Sequence, residues 1–181
     1  MQISFYKPNG NNTGTAFSAQ SKSGALWFNF IKQASWNAET KKGGFKANGK
    51  DPSKTLGAKM NVGEAASIID ALNRNVDFGS VHTFNDRVTL NFKISPYLDK
   101  ATQVQKGYSF AFFKNKNPFL IGLNFGEAQM FKIFLTKFIE SSFDSNAKEP
   151  LEEEVPVKSS TVDGPAVGAS EDSSDLEVQD F

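Results

Sequence analysis

Apolar and polar residues alternate along several short segments of the chain. The clearest case begins at Val88, where every second residue up to Ile94 is apolar and the residues between them are Thr, Asn and Lys. The segment around Phe28 alternates in the same way, with Trp27 on its polar side. A period of two is that of a β-strand with one buried face. Since Gly, Asn, Lys, Asp and Pro separate these segments, the pattern predicts short antiparallel strands joined by turns.

Two helices are predicted, each directly after a strand-like segment. The sequence Asn61-Val62-Gly63-Glu64-Ala65 recurs 63 residues later as Asn124-Phe125-Gly126-Glu127-Ala128. In both copies the Asn suits a helix N-cap, and the Glu three residues later completes a capping-box pattern. A second match, between 26–30 and 88–92, has an offset of 62 residues. The agreement of the two matches in order and spacing favours a duplicated unit.

Each unit is predicted to contain four strands and one helix. The predicted strands are 14–20, 25–34, 44–47 and 55–60, then 79–84, 87–95, 108–114 and 118–123. The fold class is therefore α+β, with tandem ββββα units whose antiparallel sheets pack with two helices. The expected domains are a first strand-rich repeat at 1–76, a second at 77–144, and a tail at 145–181. The second helix is apolar over most of its circumference, which is typical of a helix buried on several sides or at the interface of a homodimer.

The composition changes sharply after residue 144. Ser, Glu, Pro, Gly, Asp and Val dominate from Ser145 onward, and no Phe lies between Asp144 and Asp180. Such a segment cannot bury enough apolar surface to offset the conformational entropy that ordering costs. The sequence therefore predicts a disordered acidic tail.

The overall net charge of zero combines two opposite parts. Residues 1–148 contain 19 Lys and Arg against 10 Asp and Glu, a balance of +9, and residues 149–181 contain one Lys against ten acids, a balance of −9. A basic, aromatic-rich body with an acidic tail is typical of a protein that binds a polyanion and whose tail competes for the site. Single-stranded nucleic acid fits best, because cations follow its phosphates and aromatic rings stack on its bases.

The residue inventory gives little support to catalysis or metal binding. There is no Cys, which excludes disulfides and thiolate metal sites, and His82 is the only histidine. No glycine-rich phosphate loop is present. The N-terminus lacks a signal-peptide pattern, and no apolar run approaches the roughly 20 residues that cross a bilayer. We therefore expect an intracellular protein that is not an enzyme, with no cofactor, no metal and no membrane partner.

Lysines and aromatic residues are interleaved along the basic body. On an exposed sheet face they would form a stacking platform with a cationic rim, and the candidate DNA-binding residues are Trp27, Lys32, Trp36, Lys41, Lys42, Lys46, Lys93, Tyr97, Lys106, Tyr108, Lys114 and Lys116. The alternative interpretation places the rings in the core and the lysines at solvated strand edges. We expect this alternative for Phe28, Phe30, Phe92, Phe131, Phe134 and Phe138.

The repeated unit of four strands and a helix resembles the Whirly and transcription-coactivator (positive cofactor four) superfamily of single-stranded DNA-binding proteins. The resemblance covers roughly residues 14–143 and depends on the topology and the duplicated Asn-x-Gly-Glu-Ala boundary. The Lys-Gly-Lys-Ala-rich signature of plant members is absent. The resemblance implies curved antiparallel sheets that hold the DNA and helices that pack the units together.

The tail resembles the acidic C-terminal segments of bacterial and phage single-stranded DNA-binding proteins, which often end in Phe. The residues that carry this resemblance are Asp175, Leu176, Glu177, Val178, Asp180 and Phe181. It implies a tail that shields the DNA site when DNA is absent, and a tip that recruits replication and recombination proteins. It also implies the cytoplasm of a bacterial or phage-infected cell. The alternative role for an acidic tail is solubility alone.

The sequence thus predicts a sequence-nonspecific single-stranded DNA-binding protein of DNA replication, recombination or repair. A single oligonucleotide-binding barrel is one alternative, against which the duplicated strand-to-helix boundary argues. RNA binding is another, because it uses the same stacking physics. A protein-interaction or assembly factor that acts through its acidic tail is the third.

Overall fold

The computed structural model describes residues 1–84, 88–114 and 117–146. The predicted tail from residue 147 onward, its tip at 175–181, Arg87 and Lys116 lie outside the described residues. The strands are β1 (Gln2–Lys7), β2 (Thr15–Lys22), β3 (Ala25–Lys32), β4 (Ser35–Asn37), β5 (Lys42–Gly44), β6 (Thr55–Met60), β7 (Phe78–Phe84), β8 (Val88–Leu98), β9 (Gln105–Lys114) and β10 (Asn117–Asn124). The helices are α1 (Val62–Arg74) and α2 (Phe125–Asn146).

The strands form two four-stranded antiparallel sheets, each followed by its helix. Sheet 1 has the order β1-β2-β3-β6 and sheet 2 the order β7-β8-β9-β10, so neighbouring strands follow the order of the chain. Strands β4 and β5 pair only with each other, as a hairpin between β3 and β6. The predicted α+β class, with antiparallel sheets and two helices, is therefore confirmed, and the element order agrees roughly with a tandem ββββα arrangement.

One strand of the first unit was predicted in the wrong place. The segment 44–47 is not a strand of sheet 1: Gly44 ends β5, and Lys46–Asn48 forms a single 3-10 turn. The fourth strand of sheet 1 is β1, for which no strand was predicted. The segment 44–47 contains a Gly and an exposed Lys and has no apolar face to bury, whereas Phe5 of β1 is buried in the core.

The two sequence matches differ in their structural meaning. The Asn-x-Gly-Glu-Ala boundary occupies the same place in both units, at the junctions of β6 with α1 and of β10 with α2. The segments 26–30 and 88–92, by contrast, lie in the third strand of one unit and the second strand of the other. Their likeness reflects the alternation of any half-buried strand, so this second match is wrong as evidence of equivalence.

Both helices begin with the predicted capping box. Asn61 accepts a hydrogen bond from the Glu64 amide at 2.8 Å, and the Glu64 carboxylate accepts one from the Asn61 amide at 3.0 Å. Asn124 and Glu127 form the same reciprocal pair, both at 2.9 Å. These bonds satisfy amide groups that a helix N-terminus leaves without partners, which explains why a helix starts at both places.

The inner faces of both sheets share one core made largely of Phe side chains. The rings of Phe30 and Phe112 join the two sheets with centroids 4.9 Å apart. Phe131 of α2 lies between them, 5.5 Å from Phe17 of sheet 1 and 5.4 Å from Phe110 of sheet 2. The predicted core residues are confirmed as buried: Phe28, Phe30, Phe92, Phe131, Phe134 and Phe138.

Helix α2 is buried along one side only. Phe131, Leu135 and Phe138 face the core, whereas Met130 and Ile133 are at least half exposed. The expectation of burial on several sides is therefore wrong for the described chain. No helix in the described ranges combines the length and apolar character that crossing a bilayer requires.

Candidate nucleic-acid interface

Each sheet turns one face to the core and the other outward. The strand register places Ser4, Ser18, Asn29 and Gly57 in one row across the outer face of sheet 1. Tyr6, Ala16 and Ile31 form a neighbouring row, two residues further along each strand on one side of this central row. On the other side, Trp27 stands between Gln20 and Lys59. This outer face therefore has a floor of small polar side chains between two rows that carry aromatic rings.

A segment present only in the first unit lies against this face. Residues 33–54 separate β3 from β6, whereas only residues 115–116 separate β9 from β10. The segment is held at its start by the buried Gln33, whose amide accepts from the Asn9 backbone at 2.9 Å and donates to the Ser35 carbonyl at 2.9 Å. It is held at its end by Asn48, which donates to the Lys32 and Gln33 carbonyls at 2.9 and 3.1 Å. The segment is thus fixed in place by satisfied buried hydrogen bonds.

This segment closes a cleft at one end of the outer face of sheet 1. Phe45 approaches Tyr6 with ring centroids 5.9 Å apart and planes tilted by 60°. We call the space beside them the Tyr6 cleft; it measures about 460 Å³ and is also lined by Lys46, Ser18 and Asn29. Tyr6 is 62% exposed, and its part in the site was missed because β1 was missed. The alternation of Ile3 and Phe5 with Ser4 and Tyr6 is the signal that marks this strand.

The sequence-predicted residues of the first unit fall into two groups. Trp27 is 40% exposed on the outer face, beside Lys59, which was not predicted. Trp36 is half-buried in the hairpin, against the loop that holds Gly10. The remaining predicted lysines of this segment are exposed: Lys41, Lys42 and Lys46. The outer face of sheet 1 therefore carries Trp27 and the Tyr6 cleft, and of the three lysines only Lys46 lines that cleft.

The exposed lysines around sheet 1 carry unneutralised charge. Within the described residues, none of them takes part in an ion pair; they are Lys22, Lys41, Lys42, Lys46 and Lys59. A lysine without a carboxylate neighbour can meet a phosphate and release its counterions. This side of the molecule is accordingly suited to a polyanion.

The lysines on the outer side of sheet 2 are paired with acids. Lys93 lies 2.8 Å from an Asp77 oxygen, and Lys106 lies 2.5 Å from an Asp99 oxygen. The hydrogen bond from Lys106, followed by the backbone amides of Thr102 and Ala101, lowers the pKa of Asp99 from 3.8 to about 2. Asp99 is therefore a carboxylate at neutral pH and offsets the charge of Lys106.

A second cleft lies on the outer face of sheet 2. The Tyr97 cleft measures about 570 Å³ and is lined by Tyr97, Lys106, Ser109, Leu120 and Lys7. Tyr97 is 48% exposed, as its position opposite the apolar register predicts. Lys7 is held by Glu127, with Nζ to carboxylate distances of 2.5 and 2.7 Å. Both lysines of this cleft are thus neutralised by the protein itself.

Tyr108 is a core residue, which corrects its prediction as a stacking residue. Its ring is 7% exposed, and its hydroxyl donates to the Leu72 carbonyl at 3.0 Å. The register opposite Leu123 puts it on the inner face of sheet 2, where no base could reach its π face.

Two predicted lysines hold the two units together. Lys32 donates to Asn117 at 2.7 Å and lies 4.8 Å from the Phe119 ring centroid, and burial, aided by Lys54, lowers its pKa. Lys114 donates to the Pro52 carbonyl at 3.3 Å. Both contacts cross from one unit to the other. Their first role in this structure is therefore structural.

A polar cluster links β7 to the N-terminus of α1. One oxygen of Glu64 accepts from the Ser80 hydroxyl and lies 2.8 Å from His82 Nε2, while Ser80 Oγ is 3.3 Å from the same nitrogen. In a nucleophile–base–acid relay, the acid binds the ring nitrogen opposite the nucleophile. Both of these contacts fall on Nε2, so they do not by themselves form such a relay. No group of three or more potential metal ligands occurs among the described residues.

Comparison with known proteins identifies a shared fold. No protein-family model matches the sequence, and no curated protein is similar to it in sequence. The structure of the plant transcriptional regulator PBF-2, a Whirly-family protein, matches with a TM-score of 0.58 and 15% identity over 81% of this chain and 92% of that one. This chain shares the fold of that protein. The comparison therefore confirms the Whirly resemblance at the level of the fold alone.

Two further solved structures have a similar fold. The MRP1/MRP2 proteins of Trypanosoma brucei match with a TM-score of 0.51 and 12% identity, over 80% of this chain and 87% of that one. A guide-RNA-binding protein complex bound to a gRNA matches with a TM-score of 0.53 and 13% identity, over 82% and 91%.

Proposed function

We propose that this protein binds single-stranded nucleic acid without regard to base sequence. Lysines neutralise the phosphates, and rings exposed on an outer sheet face stack on the bases. The observation that carries this proposal is the outer face of sheet 1, where the exposed rings of Trp27 and Tyr6 stand near lysines that have no acidic partner among the described residues. A fold shared with a guide-RNA-binding complex supports it.

DNA is the proposed substrate, and replication, recombination or repair the proposed setting. The support comes from the acidic segment 149–181, whose charge balance of −9 matches the +9 of the body. Such a tail shields the phosphate-binding lysines when DNA is absent and recruits partner proteins through Phe181. RNA is the second candidate, because a structure of similar fold was determined with a guide RNA bound.

We propose that the protein acts by binding rather than catalysis. The solved structures of similar fold, a transcriptional regulator and a guide-RNA-binding complex, support this part of the proposal. The exposed apolar residues Met130 and Ile133 on α2 support a homodimer as its working form. Each part of the proposal can be tested separately from the DNA-binding measurement.

The deciding experiment is a titration of the full chain with labelled oligo-dT, the matching RNA and a duplex of the same length, at several salt concentrations. We expect binding to the single strands to weaken with salt, with a log–log slope of about −0.7 for each phosphate contacted, and the duplex to bind less tightly. Tighter binding of RNA than of DNA would assign the protein to RNA. If no single strand binds in a salt-dependent way, the proposal is wrong.

Removal of residues 149–181 tests the role of the tail. We expect the truncated chain to bind oligo-dT more tightly at low salt, because the acidic segment no longer competes with DNA for the lysines. The difference should shrink as salt rises, since screening weakens both interactions. Deletion of Phe181 alone is the control and should leave DNA affinity unchanged. Equal affinities of the full and truncated chains would defeat the shielding role.

A further inference from the structure

The two sheets offer outer faces of the same topology with different side chains. On sheet 1 the row that crosses the centre consists of Ser4, Ser18, Asn29 and Gly57, which are small and polar. On sheet 2 the outer face is mixed: the exposed residues Val81 and Leu120 stand in two different rows, and Ser95, Ser109 and Gly122 form a small polar row beside that of Leu120. Small polar residues let a backbone approach closely and offer hydrogen-bond donors and acceptors to bases, and Val and Leu offer neither.

The two outer faces also differ in charge, and this difference too favours sheet 1 as the face that binds nucleic acid. Each lysine on the outer side of the sheet 2 strands has a carboxylate partner: Lys93 has Asp77 and Lys106 has Asp99. A phosphate that approaches such a pair meets no net charge and is repelled by the acid at short range. The described lysines around sheet 1 have no such partner, so a phosphate there gains the full interaction and displaces counterions.

The segment 33–54 accounts for most of the difference between the outer faces of the two sheets. It supplies Phe45 to the wall of the Tyr6 cleft and places Lys46 in the same cleft. With centroids 5.9 Å apart and planes tilted by 60°, Tyr6 and Phe45 form a corner rather than a sandwich. A base can stack on one ring and meet the other at its edge, the geometry that aromatic groups prefer. Lys46 then lies within the same cleft as a partner for the phosphate of that nucleotide.

The cleft and Trp27 mark two ends of one path. Ile31 stands in the row of Tyr6, and Trp27 lies four residues away on the same strand, about 13 Å at a rise of ~3.3 Å per residue. Between them lies the floor that includes Ser18 and Asn29. Lys59 pairs in register with Trp27 and places a cation beside its ring.

We propose that the two units have divided their roles: the single strand crosses the outer face of sheet 1, with a base seated in the Tyr6 cleft and another stacked on Trp27, and the outer face of sheet 2 takes no part in binding. This inference rests on the proposed function and makes it specific to one face.

The test compares matched variants of the full chain in oligo-dT binding. Tyr6→Ala removes an exposed ring from sheet 1, and Tyr97→Ala removes an exposed ring from sheet 2. We expect Tyr6→Ala to weaken binding about 5- to 150-fold, the range that corresponds to the loss of one base stack, and Tyr97→Ala to leave it unchanged. Because both side chains are about half exposed or more, the two variants should change the thermal unfolding midpoint little and to a similar extent.

Paired lysine variants provide a second, independent measurement. Lys46→Gln with Lys59→Gln should reduce the salt slope by about 1.4, at about 0.7 for each lost phosphate contact. Lys93→Gln with Lys106→Gln is the matched control and should not change the slope. An abasic strand separates base from phosphate contacts, since the effect of Tyr6→Ala should vanish on it while that of the lysine pair remains.

The outcomes distinguish this inference from the proposed function. If wild-type protein binds oligo-dT and the sheet 2 variants weaken it as much as or more than the sheet 1 variants, the division of roles is wrong and the proposed function stands. If wild-type protein binds no single strand at all, both fail. Loss of binding confined to the sheet 1 variants supports the inference.

Discussion

At the scale of single residues, exposure and pairing decide what a predicted binding residue does. Tyr97 and Tyr108 lie eleven residues apart in neighbouring strands of sheet 2, yet one ring is half exposed and the other is buried. Lys46 and Lys106 differ likewise, because Lys106 has an acidic neighbour and Lys46 has none among the described residues. Residue type and local alternation predict which side chains are suitable for binding nucleic acid. The partners that remove some of them from use come from distant parts of the chain.

Tyr108→Phe should affect stability and not binding. The variant removes the hydroxyl that donates to the Leu72 carbonyl and leaves the ring in the core. We expect the free energy of unfolding to fall by about 0.5–1.5 kcal/mol, the usual net contribution of one hydrogen bond. Chemical denaturation measures this change, and oligo-dT affinity should stay at the wild-type value. If the variant loses affinity for oligo-dT while its free energy of unfolding is unchanged, Tyr108 takes part in binding.

Asp99 should titrate well below an ordinary aspartate. Hydrogen bonds from Lys106 and two backbone amides lower its pKa from 3.8 to about 2. Since the folded pKa is depressed, the contribution of this group to stability is present above about pH 4 and is lost as the pH falls toward 2. Carboxyl NMR titration should show the low midpoint, and Lys106→Gln should move it up toward 3.8. A midpoint near 3.8 in the wild-type chain contradicts the observed pairing.

At the scale of elements, the duplicated strand-to-helix boundary is the part that sequence predicts best. A capping box involves only residues within four positions of one another, so its geometry follows from local sequence. Strand β1 and the segment 44–47 show the opposite case. Whether a short segment joins a sheet depends on the strand beside it, and β1 is fixed by its pairing with β2.

Replacement of either N-cap should destabilise the protein by a similar amount. Asn61→Ala and Asn124→Ala each remove the acceptor for an amide at the helix start. We expect each to lower the free energy of unfolding by about 0.5–2 kcal/mol. Asn11→Ala, at an exposed loop position, is the control and should stay within about 0.5 kcal/mol of wild type. If both cap variants match that control, the capping boxes do not stabilise the helices.

At the scale of the whole molecule, the shared Phe core joins two units that sequence presents as separate repeats. Phe131 contacts rings from both sheets, including Phe17 and Phe110. Lys32 and Lys114 add polar contacts between the units. The described residues, which are 1–84, 88–114 and 117–146, therefore have one common core, and neither unit buries its inner face without the other.

This common core predicts a single unfolding transition for both units. Phe131→Ala should lower the free energy of unfolding by about 3–5 kcal/mol, because it leaves a cavity where the two sheets meet. The exposed Phe143→Ala is the matched control and should change it by no more than about 0.5 kcal/mol. Fluorescence of Trp27 and Trp36 reports on the first unit, and far-ultraviolet circular dichroism reports on both units. Two transitions with different midpoints would show that the units unfold separately.

The sequence by itself determined the features that depend on neighbours along the chain: the alternation of strands, the two helix starts, the duplicated unit and the division of charge. Tertiary structure alone decided which strand completes sheet 1, which lysines meet a carboxylate, and which of two similar faces has lysines without a carboxylate partner among the described residues. The physical reason is the separation along the chain over which each interaction acts. Alternation and capping act over a few residues, whereas ion pairing, ring packing and the contact of Phe45 with Tyr6 depend on residues that only folding brings together.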